Sequence, residues 1–564
     1  MFKNEEIIQT KTCNNCNSNF KITNKDLEFY EKISPNFGGN KYLIPLPNLC
    51  PECRQQKRLS FRNERKLYKR KCDATGKDII SIYSPEKNYK VFNQDFWWSD
   101  NWDALNYGKD YDFSKQFFDQ FGELLNEVPK QNLIGANNEN STYCNLTADN
   151  KNCYLIFESS NNENCLFGHW LQKCNKCSDC NFMHECELCY ESLDCYFCYN
   201  SKYLFSCKNC YDSYFLEDCV GCKNCFGCVN LADKEYYIFN KSYTKEQYFE
   251  EIKKYKITNY LKDDFLEFSK KFPKKNLRIL NSINCIGNQI ENSKNCILCN
   301  HAHDSEDCKY SEHVWRNAKN CMDVSTAGRD AEFIFESINC GIGVYNFNYC
   351  VQCWTGSNLT YCMFNSNIHN CFGCVGLVNK SYCILNKQYT KEQYETIVPK
   401  IIEHMVSTGE WGEFFPSSIS PFGYNETVAD EYFPLSKDKA LKTGFNWSDY
   451  EAPFPKVDKI IPASKLPEDI TKIPDDILNW AIECEVTKKP FKIIKQELEF
   501  YRKHNLPIPR RHPDRRHLDR MNLRNSIGLF DRKCDKCHKD IKTTYSPDKL
   551  EIVYCEECYN KEIY

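Results

Sequence analysis

From Cys144 to Cys228, small semi-apolar cysteines recur on a period of three among polar and aromatic residues. Sixteen cysteines fall there, and every gap between consecutive ones is a multiple of three. From Asn164 the pattern tightens into phrases fifteen residues apart, each opening Asn-Cys or Asp-Cys, at Asn164, Asp179, Asp194, Asn209 and Asn224. A unit this short buries no core alone, so successive units must stack. Fifteen residues per turn predicts a narrow three-sided β-helix with Cys165, Cys180, Cys195, Cys210 and Cys225 in one column. A polyproline-like coil also advances three residues per step, which leaves the backbone geometry open.

A second array, Cys285 to Cys374, has gaps of 11, 13 and 19 and breaks the strict rhythm. Each array ends in one phrase, NCFGCVNLADKEYYIFNKSYTKEQY at Asn224 and NCFGCVGLVNKSYCILNKQYTKEQY at Asn370. A helical run follows each, opened by a capping box, Thr244/Gln247 and Thr390/Gln393. Helical periodicity also marks a short run around Asn24–Lys32. It recurs after Ser114, a suitable N-cap, where Phe117, Phe121, Leu124 and Val128 form one stripe that Pro129 ends. From Glu410 to Pro474, proline, glycine and aromatic residues predict an extended strap.

The two ends are copies of one two-site module. KCDKCHKDIKTTYSPDKLEIVYCEECY aligns without a gap on the segment from Lys71, so Cys534 matches Cys72, Cys537 matches Thr75, Cys555 matches Asn93 and Cys558 matches Phe96. Phe491–Tyr501 resembles Phe20–Tyr30, which sets Cys484 on Cys13 and Thr487 on Cys16, while the register of the Lys71 match sets His512 on Cys50 and Arg515 on Cys53. Each copy therefore keeps the metal site that the other has lost. Cys13, Cys16, Cys50 and Cys53 form one candidate zinc tetrad, and Cys534, Cys537, Cys555 and Cys558 form the other. Paired CxxC turns present four thiolates tetrahedrally, and the second set has the spacing of a zinc ribbon. Packing is expected to replace metal at the degenerate sites, with Phe96-Trp97-Trp98 supplying apolar surface.

The fold class expected is multidomain and mainly β with short helices: duplicated zinc-ribbon-like ends flank two narrow solenoid-like arrays. The expected segments are an N-terminal module (1–135), array one (136–275), array two (276–409), the strap (410–474) and a C-terminal module (475–564).

Charge adds a partner. Of sixteen arginines, five lie between Arg54 and Arg70 and eight between Arg502 and Arg532. Arginine's planar fork suits phosphate, and a basic segment beside a zinc ribbon is a common nucleic-acid-binding arrangement. Arg54, Arg58, Arg62, Arg65 and Arg70 form one candidate contact surface for nucleic acid, RNA rather than DNA. Arg510, Arg511, Arg515, Arg516, Arg520 and Arg524 form its duplicate, and Tyr68 and Phe530 are candidates to stack on bases. The alternative is that these arginines clasp acidic residues of the same chain.

The 38 cysteines, with no apolar leader and no membrane-length run, predict a cytoplasmic protein with reduced thiols and no membrane association. Array thiols can pack as small hydrophobes. The denser groups, Cys174, Cys177, Cys180 and Cys186, and Cys219, Cys222, Cys225 and Cys228, are candidates for extra metal, as is a mixed site at His301 and His303 beside Cys296, Cys299 and Cys308. Neither dense run has ferredoxin spacing, so no iron–sulfur cluster is expected.

CPECRQQKRLSFRNERKLYKRKCD, NCFGCVGLVNKSYCILNKQYTKEQY and FKIIKQELEFYRKHNLPIPRRHPDRRHLDR resemble phrases of cysteine-rich zinc-ribbon proteins of reduced-genome bacteria. The resemblance spans nearly the whole chain and implies zinc at ribbon tetrads but no particular activity. Thr75, Asn93 and Phe96 stand where that pattern has cysteines. With no nucleophile elbow, phosphate loop, zincin helix or paired carboxylates, no enzyme is expected. The expectation is a zinc-binding scaffold holding about two structural ions and contacting nucleic acid. The alternatives are a protein-interaction solenoid, or a thiol-based metal store or redox sensor.

Overall fold

A computed structural model describes residues 5–37, 39–258, 261–454 and 456–563. The chain divides into two compact units. One comprises Met1–Asn132, Leu277–Tyr450 and Ser526–Leu529; the other comprises Leu133–Asn276, Glu451–Asn525 and Phe530–Tyr564. The segments expected in sequence order therefore interleave. The N-terminal module packs with the second array, the C-terminal module packs with the first, and the strap is divided at Tyr450. Among the described residues, no helix is long and apolar enough to cross a membrane.

Each array is an eleven-stranded sheet whose strands pair in sequence order. In the first, Asn145, Phe157, His169, Asn181, Leu193 and Phe205 pair in a parallel ladder, one residue per turn. The turn is therefore 12 residues long, the separation that inter-turn side-chain bonds also span, and not the fifteen expected. Backbone dihedrals give the shape. Asn164, Phe167, Trp170, Lys173, Lys176 and Asp179 all have φ between 50° and 57°. A left-handed corner every three residues makes the coil four-sided, not three-sided.

That corner explains the Asn-Cys and Asp-Cys phrases. The left-handed region costs most L-residues about 1–2 kcal/mol, while asparagine and aspartate visit it more readily. They take the corner, and the next residue points into the bore. Two inter-turn backbone bonds per step offset the strain: Glu163 N donates to Cys174 O at 3.0 Å and Asn164 N to Lys151 O at 2.9 Å. With four steps per turn, Cys153, Cys165, Cys177 and Cys189 share one column, and Cys174, Cys186, Cys198, Cys210 and Cys222 share another. The column expected at fifteen-residue intervals does not form, because each such phrase advances one side around the coil.

The second array obeys the same rule with irregular turns. Ile279 pairs with Ile290 after eleven residues, Ile290 with Ala302 after twelve, and Val314 with Ala327 after thirteen. Longer and shorter corners thus produce its gaps of 11 and 13.

Each solenoid ends in an antiparallel hairpin, Glu235–Ile238 with Lys241–Ser242 and Cys383–Ile384 with Lys387–Gln388. Asn240 and Asn386 then act as a substitute strand. The Asn386 amide donates to Val375 O and accepts from Val375 N, both at 2.8 Å, and Asn240 does the same with Val229 at 2.9 Å. An edge that would template further pairing is closed this way. The capping boxes at Thr244/Gln247 and Thr390/Gln393 form as expected and open helices Lys245–Ile252 and Lys391–Thr408.

Helix Asn24–Ile33 forms with a Thr23 cap. Helix Phe117–Glu127 buries its expected stripe but starts at Gln116, not Ser114. The Ser114 hydroxyl bonds Asp112 instead, and the Glu410 carboxylate accepts from Phe117 N and Phe118 N at 3.0 and 2.7 Å. A remote carboxylate thus meets the helix's orphan donors and positive end.

The terminal modules share one plan. Hairpin Ile7–Thr12/Asn19–Thr23, helix Asn24–Ile33 and helix Pro51–Leu59 correspond to Trp480–Glu483/Pro490–Phe491, Lys495–Lys503 and Pro513–Met521. The second hairpins, Tyr68–Lys71/Asp78–Ser81 and Phe530–Lys533/Asp540–Thr543, correspond as well.

Candidate metal centres and arginine contacts

Each tetrad joins a hairpin turn to a helix N-terminus. Cys13 follows strand Ile7–Thr12, and its carbonyl accepts from Asn17 N, a residue with φ of 60°. Cys50 is the N-cap of helix Pro51–Leu59, and Cys53 lies in its first turn. The four sulfurs lie within 4.8 Å of one another, with Cys16 and Cys50 at 3.7 Å. The other tetrad repeats this arrangement. Cys534 O accepts from His538 N, Cys555 precedes helix Glu556–Ile563, the sulfurs again lie within 4.8 Å, and Cys537 and Cys555 are 3.8 Å apart. A tetrahedral ion with bonds of ~2.3 Å to sulfur places its sulfurs ~3.8 Å apart. Both sites therefore have the spacing to hold a metal ion.

The surroundings favour a thiolate at Cys50 in one tetrad and at Cys534 in the other, and hold a partner, Cys53 through its bond to Cys50 and Cys558 through burial, as the thiol. The Cys53 thiol donates to Cys50, which is drawn down to about 5. Burial opposes ionisation of Cys534, but the backbone N–H groups of Cys537, Cys555 and Lys536 bring it to about 6.

The degenerate sites keep the knuckle and lose the ligands. Cys72 accepts from Asn93 N at 3.3 Å, as Cys534 accepts from Cys555 N at 3.2 Å. Phe96 packs on Phe92 with ring centroids 5.0 Å apart, and Trp97 on Trp102 at 4.4 Å. Trp98, expected to pack as well, is 52% exposed. In the C-terminal copy, His512 caps helix Pro513–Met521 through Asp514 N, and Arg515 pairs with Asp519 at 2.8 Å.

The array cysteines are not gathered for metal. All are free thiols, and among the described residues none joins a group of three or more ligand atoms within 4.8 Å of one another. Cys174, Cys177, Cys180 and Cys186 point into the bore from three sides, as do Cys219, Cys222, Cys225 and Cys228 from four. Each thiol donates to carbonyls; Cys165 reaches Glu163 O at 3.4 Å and Cys174 O at 3.5 Å. Burial pushes the Cys165, Cys174, Cys180 and Cys186 thiols up, while hydrogen bonds from Cys165, Cys174, Cys180 and Cys189 draw Cys177 down. His301 stacks on His313 and His303 on Trp315, each on the neighbouring turn, so the mixed site with Cys296, Cys299 and Cys308 does not assemble.

The arginines expected on a nucleic-acid surface are turned inward. Arg54 donates to Asp323 at 2.7 Å, and Arg58 lies 3.4 Å from Asp323 and 3.6 Å from Glu336. In the other unit, Arg516 donates to Asp179 at 2.6 Å, and Arg520 pairs with Asp179 at 3.1 Å and Glu191 at 3.2 Å. All eight of these side chains are buried. Asp179 and Glu191, like Asp323 and Glu336, occupy left-handed corners on consecutive turns. Arginines at i and i+4 on a helix rise about 6 Å, close to the ~4.8 Å spacing of the turns.

The remaining candidates are also engaged. Arg62 is buried against Glu64 at 2.6 Å, Arg65 is half-buried, and Arg70 pairs with Asp73 at 3.2 Å. Arg510 pairs with Glu468 at 2.6 Å, Arg511 with Glu485 at 2.7 Å, and Arg524 lies 3.6 Å from Asp194 and over the Phe182 ring. Tyr68 donates to Glu426 at 2.6 Å and packs on Tyr450. Phe530 is half-buried in the strand opening its hairpin. The internal clasp, not a phosphate-binding surface, is what the central arginines form. Sequence reasoning named the arginines but missed Asp179, Glu191, Asp323 and Glu336; an acidic residue at the corner position before an inward residue was the available signal. No family model matches this chain, and no curated protein aligns with it significantly.

Proposed function

We propose that the chain is a non-enzymatic scaffold in which two zinc ions clamp the terminal modules and the solenoid faces bind a protein partner. The inward turn of Arg54, Arg58, Arg516 and Arg520 carries this reading, because it takes the charge a nucleic-acid surface would need and spends it on the arrays. Four thiolates with no open position suit structural zinc. The faces of the first array mix charge, with Lys173 beside Glu185 at 2.9 Å and Lys151 near Glu139 at 3.6 Å. Phe197, Tyr199 and Tyr211 are 37–41% exposed on neighbouring turns and supply apolar contact area. Thiols this deeply buried suit packing better than metal storage or redox sensing.

Elemental analysis of protein purified under reducing conditions, with an RNA mobility-shift titration over salt, tests the reading. Two zinc ions per chain and no salt-dependent RNA binding are expected. Many more ions would overturn the inert bore, absorbance near 400 nm would indicate iron–sulfur, and binding that falls steeply with salt would restore the nucleic-acid reading.

A further inference from the structure

The two arginine contacts are alike, but the helices presenting them start differently. Helix Pro51–Leu59 opens at Cys50 with no side-chain cap, and its first turn is tied to the rest of the module through the Cys13, Cys16, Cys50 and Cys53 sulfurs. Arg54 follows the last of these ligands directly. Helix Pro513–Met521 starts at His512, whose side chain accepts from Asp514 N, and Asp519 holds Arg511 and Arg515 at 2.8 Å each. An isolated nine-residue helix is marginal in water, so what fixes its first turn decides whether it persists. The second half of helix Pro51–Leu59 has other anchors: Gln56 donates to Tyr424 at 2.8 Å and Lys57 to Phe414 O at 3.0 Å. The turn carrying Arg54 relies on the sulfurs and on Gln55, which donates to Glu312 at 3.0 Å.

We propose that metal at the Cys13 tetrad gates the Arg54–Asp323 contact, while the matching Arg516–Asp179 contact is independent of metal. This rests on the zinc reading of the tetrad. Without the ion, Cys50 and Cys53 lose their link to Cys13 and Cys16, the first turn frays, and Arg54 leaves Asp323, which Arg58 still holds at 3.4 Å. Cys16 is exposed, so a chelator or oxidant reaches the site without unfolding the unit.

Hydrogen exchange on the full chain, read by mass spectrometry with and without a zinc chelator, tests this. Peptides covering Cys50–Gln55 should exchange about tenfold faster once zinc is removed and recover when zinc returns, while Pro513–Met521 stays unchanged. Cys50→Ser should reproduce the change, and Cys537→Ser should not. If Cys50→Ser does not fold, the reversible chelation of the unaltered chain still decides. Equal loosening of both helices, or zinc uptake and release with no change in exchange, would overturn the gate alone. A chain that takes up no zinc at this tetrad would overturn the gate and the zinc reading together.

Discussion

Arg516 Nη1 lies 2.6 Å from Asp179 Oδ2, and Arg54 Nη2 lies 2.7 Å from Asp323 Oδ2. The register that superimposes the terminal modules sets Arg516 on Arg54. Each copy of the helix, with arginines four apart, therefore meets a corner of its array with acids one turn apart.

Removing one partner strands the other charge in the interior. Asp179→Ala should lower stability by about 3–5 kcal/mol, as buried pairs do when broken, and shift the urea midpoint accordingly. Replacing both partners, Asp179→Leu with Arg516→Met, should recover most of that loss. Arg511→Ala, which removes two part-exposed pairs, should cost about 1 kcal/mol or less for each. If Asp179→Ala and Arg511→Ala behaved alike, the buried contact would not be an organising one.

How much of this was legible follows from the same residues. The period of three was visible because every inward position of the first array is a multiple of three, and the terminal duplication because it is written inside one chain. The turn length was not visible. Twelve and fifteen are both multiples of three, and only the pairing of Phe157 with His169 and of His169 with Asn181 chooses between them. The tetrads were legible because ligand spacing is local. The direction of Arg54 and Arg516 was not, since a helix rich in basic residues looks the same facing water or facing Asp323.

Glu497 makes stability depend on pH near neutrality. Burial raises its carboxyl to about 7, against the pull of Arg516, from an ordinary value of 4.5. A raised folded-state value means the native chain holds this proton more tightly than the unfolded one. Its stabilising contribution is thus complete below 4.5 and disappears as pH rises through 7. Urea midpoints measured between pH 4.5 and 7.5 should fall with pH, and Glu497→Gln should flatten that slope. An unchanged slope in Glu497→Gln would assign the effect to other groups.

Lys130 acts in the opposite direction. Burial lowers its ammonium to about 7 from 10.5, and the amine donates to Val128 O at 2.7 Å and also to Leu125 O. A depressed folded-state value gives a contribution that is complete above 10.5 and lost as pH falls through 7. Lys130→Met should therefore remove a rise in stability between pH 7 and 10, read by thermal unfolding across that range.

Thiol reactivity should separate the bore from the tetrads. Cys16 and Cys537 are exposed and Cys285 and Cys558 half-buried, while every other cysteine is buried. After chelation, an alkylating reagent should label these four quickly and reach the buried array cysteines only as the solenoid unfolds. Fast labelling of Cys177 or Cys189 in the native chain would mean that the bore opens.

The asparagine caps give the last test, because one side chain there replaces a missing strand. Asn386 is fully buried and bonds both Val375 N and Val375 O, and its amide also donates to Ala104 O at 3.1 Å. Asn386→Ala leaves these backbone groups buried and unpaired, at about 1–3 kcal/mol for each group left unsatisfied. Asn240 makes the same pair with Val229 but is only half-buried, so water can replace it. Asn386→Ala should therefore be the costlier change, seen as a lower unfolding midpoint and faster amide exchange at Val375 and its strand neighbours. Equal losses at the two sites would show that burial of the cap does not set its worth.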